Sequence, residues 1–147
     1  MSAAVGRRLL AEFTGTGLLV AIVVGSGIAA TRLTTDGALR LLVNSSVTAM
    51  GLAVLIVVFI QAGGAHFNPV VTAADWTLGR RTPRRYSLGQ AAAVMACQVA
   101  GAIAGAALAD AILLWDPADR RLIVANIVGT WLAPTGLTRV AVTTRGQ

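Results

Sequence analysis

Apolar residues run in long blocks along this chain rather than alternating or recurring on one helical face. Three blocks stand out, at residues 9–31, 41–60 and 87–109. About 20 apolar residues rising about 1.5 Å each cover a hydrocarbon core of about 30 Å. The pattern therefore predicts an all-α membrane protein with three transmembrane helices. Glu12 is the one charged residue inside any of the blocks. Small residues recur at four-residue spacing in two of them: Gly17, Ala21 and Gly25 in the first, Gly101 and Gly105 in the third. That spacing lets helix backbones approach closely in lipid.

Between the second and third blocks lies GGAHFNPVVTAADW, Gly63 to Trp76. Asn is a favoured N-cap and Pro suits the first helical position, so Asn68-Pro69 predicts a helix start. The helix runs about three turns and stops at Gly79, a residue suited to a C-cap. About ten residues cannot cross a bilayer. Arginines follow at once, which returns the chain to the side it came from. This predicts a re-entrant half-helix preceded by extended backbone at membrane depth, tolerated only if buried in protein or lining a watery cavity. Its N-terminal end carries partial positive charge. With the Asn68 amide, the free N–H groups there suit neutral hydrogen-bonding solutes and disfavour cations. A cytoplasmic loop with a surface helix is the alternative, since an isolated Asn-Pro is a common turn signal.

Beyond Trp115 the pattern weakens. DPADRR reads as a polar loop, and LIVANIVGTWLA is apolar for too few residues to span before meeting Pro134 and Gly136. It is expected to be an interfacial segment or a short fourth helix thinning toward Val142, followed by a disordered end. Residues 7–110 and 111–147 thus form two regions, a patterned part and a divergent or truncated tail. The arginines orient the spans. With the N-terminus cytoplasmic, Arg7, Arg8, Arg80, Arg81, Arg84 and Arg85 lie inside, and Arg32, Arg40, Arg120 and Arg121 lie outside. The dense RRTPRR run then falls on the side the positive-inside rule prefers. The apolar start could mimic a signal peptide, but its length and the spans after it predict a retained first helix.

Composition agrees. Charged residues make up 12% of the 147 residues, against roughly 25% in soluble domains. The net charge of +6 reflects orienting arginines, and no aromatic-basic interleaving supports nucleic-acid binding. All 12 basic residues are Arg, which with abundant Ala, Gly and Val suggests a GC-rich, bacterial coding sequence. One cysteine, Cys97, excludes a disulfide within the chain and a cysteine metal site. One histidine and no nucleophile constellation give no support for catalysis, a cofactor or a metal.

AEFTGTGLLV (Ala11–Val20), GAHFNPVVT (Gly64–Thr72) and QVAGAIAGA (Gln98–Ala106) resemble the first half of an aquaporin or glyceroporin, the major intrinsic protein family. The likeness covers roughly residues 7–110. It implies six spanning helices in two inverted halves, each giving one re-entrant half-helix, with their Asn-Pro-Ala ends meeting at mid-membrane. Asn68 and Pro69 match that pore motif, with Asn68 as donor to passing solute. Val70 departs from the usual Ala and adds apolar bulk where half-helices touch. His66 matches a histidine that orders the loop. Glu12 matches a buried first-helix glutamate bonded to re-entrant backbone, and Gln98 a third-helix packing position. An ungapped count from Asn68 places Thr48 at the second-helix selectivity position, a small wall favouring a wider pore; a gapped count selects Met50.

Only Pro69 among four prolines follows Asn, so the sequence holds one pore motif and no filter arginine behind a second. It corresponds to half of an inverted repeat. Three functions follow as expectations. One is a channel for water, glycerol or another small neutral solute, completed by a homo-oligomeric copy or a separate second-half subunit. Arginine bias opposes an inverted copy, because such loops translocate with difficulty. Another is a truncated, non-conducting remnant. The last is a small membrane interaction subunit binding through its glycine-rich helices. Membrane lipid is a partner in every case.

Overall fold

The computed structural model describes residues 3–79 and 87–113. The tail expected to hold a fourth helix and the RRTPRR run lie outside these residues. Four helices follow in order: α1 Ala3–Leu33, α2 Gly37–Gly63, α3 Pro69–Leu78 and α4 Leu88–Leu113. Among the described residues, α1, α2 and α4 are long and apolar enough to cross a membrane. The ten residues of α3 rise about 15 Å, half a hydrocarbon core. All three long helices overrun the apolar blocks. α1 continues back through Arg7 and Arg8 because Arg, Ala and Leu are all strong helix formers. Charge ends the lipid-facing pattern there without ending the helix.

Helix ends are set by local chemistry. Asp36 caps α2, its side chain accepting from the Leu39 N–H at 2.9 Å. Gly64 stops α2 in the left-handed region (φ 92°), with its N–H bonded to the Ile60 carbonyl. Gly79 does occupy the C-cap of α3, yet at φ −72° it does not use the left-handed freedom that makes glycine common there.

α1 sits at the centre, packed on α2 along one side and α4 along the other. The α1–α4 seam is made of backbone. A Cβ added at Gly105 would lie 2.0 Å from the Gly17 carbonyl oxygen, and one at Gly101 2.2 Å from that of Phe13. The small-residue spacing in these two blocks is therefore used as a direct helix contact, with Gly17 facing Gly101 and Gly105. Across the other side, Asn44 of α2 donates from Nδ2 to the Val23 carbonyl (2.8 Å) and the Ser26 hydroxyl (2.9 Å) of α1. An interhelical amide bond of this kind holds helices where lipid offers no hydrophobic drive.

Polarity is inverted relative to a soluble domain. Large apolar side chains such as Leu10, Val57, Val58 and Ile112 are exposed, while Glu12, Thr16, Thr72 and Gln98 are buried. The molecule turns its greasy face outward and its polar groups inward, as a multi-pass membrane protein does.

Candidate functional site

The chain between α2 and α3 is held in an unusual shape. Ala65 (φ 54°) and Phe67 (φ 49°) both occupy the left-handed region without being glycine. Such residues cost about 1–3 kcal/mol each and persist where surroundings over-determine them. Glu12 of α1 does this. Its Oε1 accepts from the His66 N–H at 3.0 Å and its Oε2 from the Phe67 N–H at 2.8 Å. The carboxyl group is fully buried, so both bonds form in a low dielectric.

A second tier braces the first. The Gln98 amide of α4 donates to Glu12 Oε2 (2.9 Å) and to the Thr72 hydroxyl (2.9 Å). The Thr72 hydroxyl in turn lies 3.1 Å from His66 Nδ1 and 3.1 Å from Gln98 Oε1, either of which can accept its proton. His66 Nε2 reaches toward Asp75, 3.9 Å away on α3. One connected network thus joins α1, the loop, α3 and α4.

Phe67 supplies the apolar anchor. Its buried ring meets Phe59 edge-on, centroids 6.0 Å apart at 88°. It also lies directly over Gly15, where an added Cβ would come within 2.0 Å of the ring. The third residue after Glu12 must therefore be small.

Asn68 then opens α3. Its backbone is extended (φ −151°, ψ 125°) and its Oδ1 accepts from the Val70 N–H at 2.8 Å. That bond fixes the amide orientation: the oxygen is committed to the cap, so the Nδ2 donors face away from the helix. The expectation that several free N–H groups face the cavity narrows here. Pro69 has no N–H and Val70's is used by Asn68, so two of the first-turn donors are withdrawn and the Asn68 side-chain amide carries more of the role.

Asn68, Pro69, Phe67, Gln98 and Thr16 form the floor of a cavity of about 1090 Å³ between α1 and α4. Its walls are apolar, including Val20, Val23, Val99, Ile103 and Ala106, and its mouth carries Thr31, Arg40, Asn44 and Asp110. The N-terminal end of α3 points into this space, bringing the positive end of its dipole to the floor. Of the residues expected from sequence, Glu12, His66 and Gln98 converge on one network, and Asn68, Pro69 and Gln98 line the cavity. Val70 is exposed beside the floor without lining it, and Thr48 lies on α2 outside it. Thr72, Gly15, Phe67, Thr16 and Asp110 were not singled out as site residues by sequence reasoning. Thr72 had a usable signal, one helical turn past Asn68 in the GAHFNPVVT stretch.

Comparison with known proteins covers most of the chain. Residues 1–135 match the family model described as Major intrinsic protein. The chain is 46% identical over 127 residues to Aquaglyceroporin AqpS of Rhizobium meliloti (strain 1021), covering 86% of this chain and 52% of that protein. It is 34% identical over 133 residues to Aquaporin-3 of Milnesium tardigradum, covering 86% and 41%. It is 38% identical over 108 residues to Probable aquaporin PIP2-8 of Oryza sativa subsp. japonica, covering 72% and 36%. The chain spans about half, or less, of the length of these curated relatives.

Proposed function

The chain belongs to the major intrinsic protein family, and from that premise we propose that it forms half of a passive channel for water, glycerol or another small neutral solute. The observation that carries this is the Asn68 amide, turned by its own cap toward a cavity at the N-terminal end of a half-membrane helix. A neutral solute passing the floor finds a donor at Asn68 against apolar walls. A cation meets the positive end of the α3 dipole at the floor, where no carboxylate lines the cavity; Asp110 stands at its mouth.

Roles follow from position. Asn68 donates to solute, and Pro69 starts the helix that presents it. Val70, with 69% of its surface exposed, offers an apolar face to whatever meets α3 at mid-membrane. Glu12, His66 and Gln98 hold the loop. Residues 7–110 are the channel half proper, and the family match runs on to residue 135. The opposite wall comes from a second half, another copy or a separate chain. The N-terminus lies in the cytoplasm of a bacterial cell, with the arginine-rich α3–α4 connection on the same face.

Osmotic shrinkage of vesicles carrying the purified chain tests this reading. Asn68→Ser is the informative variant, since serine keeps a cap acceptor and removes the amide donor. Water or glycerol flux above that of empty vesicles, reduced by Asn68→Ser, is expected. Flux equal to that of empty vesicles at verified insertion overturns conduction by this chain, and leaves a non-conducting or interaction role.

A further inference from the structure

His66 is the chain's one histidine, and its side chain is only 14% exposed. Which ring nitrogen carries the proton follows from the donors and acceptors around it. The Gln98 amide nitrogen has two hydrogens and gives both away, one to Glu12 Oε2 and one to the Thr72 hydroxyl, each at 2.9 Å. The Thr72 hydroxyl has one proton of its own and two neighbours to receive it, His66 Nδ1 and Gln98 Oε1, each at 3.1 Å. Giving it to Gln98 would make one hydroxyl both donor and acceptor to the same amide. The small ring so closed bends both bonds, and bent hydrogen bonds weaken steeply. His66 Nδ1 presents no such conflict. With Nδ1 accepting, the neutral ring carries its proton on Nε2, the nitrogen that faces Asp75 at 3.9 Å.

Charging the ring changes what Nδ1 needs. It becomes a donor, and Thr72 Oγ1 is the acceptor beside it. A hydroxyl has two lone pairs; Gln98 takes one and the other is open. The Thr72 proton then turns to Gln98 Oε1. Rotation about one C–O bond suffices, and no heavy atom has to move. The charged groups around the ring, among the described residues, come from two helices. On α1, Glu12 accepts from the His66 N–H, and Arg8 flanks the same turn: a Cβ built at Gly64 would stand 3.7 Å from His66 Nε2 and 3.8 Å from an Arg8 guanidinium nitrogen. On α3, half-exposed Asp75 faces Nε2. α4 presents the uncharged Gln98. Two carboxylates against one guanidinium suit the site to an imidazolium as well as to a neutral ring.

We infer that Thr72 is a positioning residue that fixes His66 as its Nε2–H tautomer and, by turning its hydroxyl, lets the loop before Asn68 keep one shape whether the ring is neutral or charged. The inference rests on the hydrogen-bond network and not on conduction. Thr72 is fully buried. If it only filled space beside Gln98, valine would serve as well, having the same branched shape without the donor and acceptor.

The test uses the full chain in lipid vesicles with isotopically labelled histidine, so that one ring gives the whole signal. Solid-state NMR at about pH 8 is expected to show a protonated Nε2 and an unprotonated Nδ1 with the shift of a hydrogen-bond acceptor; at about pH 5 both nitrogens should be protonated. Amide exchange of residues 66–67, divided by the chemical rate at each pH, should agree within about twofold between the two conditions. Thr72→Val should lose the acceptor shift and raise the exchange ratio, acid over alkaline, at least about tenfold, the loss of one hydrogen bond to a charged donor. Thr72→Ser should restore both. Three results from the unsubstituted chain alone overturn the inference: a proton on Nδ1 at about pH 8, a ring still neutral at about pH 5, or an exchange ratio that rises about tenfold. So does a Thr72→Val chain that exchanges faster by the same factor at both pH values, or no faster at either, since neither outcome ties Thr72 to the charge on the ring.

Discussion

Removing the Glu12 carboxylate should release the loop before α3 while leaving the spans in place. Glu12→Ala strips the acceptors from two buried backbone donors, the His66 and Phe67 N–H groups. A buried donor left unsatisfied costs about 1–3 kcal/mol, so the pair costs about 2–6 kcal/mol. The left-handed Ala65 and Phe67 add strain that the packing of the Phe67 ring is then left to oppose. Local opening should become correspondingly easier. At about 1.4 kcal/mol per factor of ten, exchange of the two amides should accelerate about 30-fold to about 10⁴-fold. Glu12→Gln should fall between. It keeps one acceptor oxygen, but its NH₂ group must face either a loop N–H or the Gln98 amide, itself a donor. Hydrogen exchange by mass spectrometry in lipid nanodiscs reads this directly, with peptides from the α1–α4 seam as internal control. Unchanged exchange at residues 66–67 in Glu12→Ala would refute the clamp, as would equal effects of the alanine and glutamine variants.

Other substitutions probe neighbouring parts. Gly105→Ala drives a methyl group into the Gly17 carbonyl, and should lower the thermal midpoint in detergent through an overpacking cost of at least about 1–3 kcal/mol; an unchanged midpoint would show that the seam is looser than described. Gly15→Ala places a methyl within the Phe67 ring, and should displace that ring and speed exchange at residue 67 with little change in helix content by circular dichroism. Asn68→Ala should weaken α3 by about 1 kcal/mol through loss of its cap, whereas Asn68→Ser should hold the helix, a difference visible in exchange of residues 70–72.

The long helices and the short one were legible because bilayer thickness converts apolar block length directly into spans. Asn-Pro marked where α3 begins, and Gly79 where it ends, through backbone chemistry local to those residues. Helix ends beyond the apolar blocks were not legible, since charge stops the lipid-facing pattern while Ala, Leu and Arg continue the helix. The network was visible only in part. Glu12, His66 and Gln98 entered through resemblance to a family, not through periodicity. Glu12 and His66 are 54 positions apart, Glu12 and Gln98 86, and no local pattern encodes such meetings. Gly15 looked like one more small residue in an alanine- and glycine-rich helix until Phe67 was seen lying on it. Asp110 fell one residue outside the expected span, where a charge reads as an ordinary boundary.

The central claim is that α3 enters the membrane and does not lie on its surface. Val70 and Leu78 sit near opposite ends of α3 and are both exposed, at 69% and 82%. A nitroxide at each in turn, Val70→Cys or Leu78→Cys with Cys97→Ser, reports depth in the bilayer by power-saturation EPR. Eight residues of helix rise about 12 Å, so the label at 70 should lie deeper than the label at 78, by up to about 12 Å for a helix along the membrane normal. Equal depths at the two positions would contradict the re-entrant helix and the channel reading built on it.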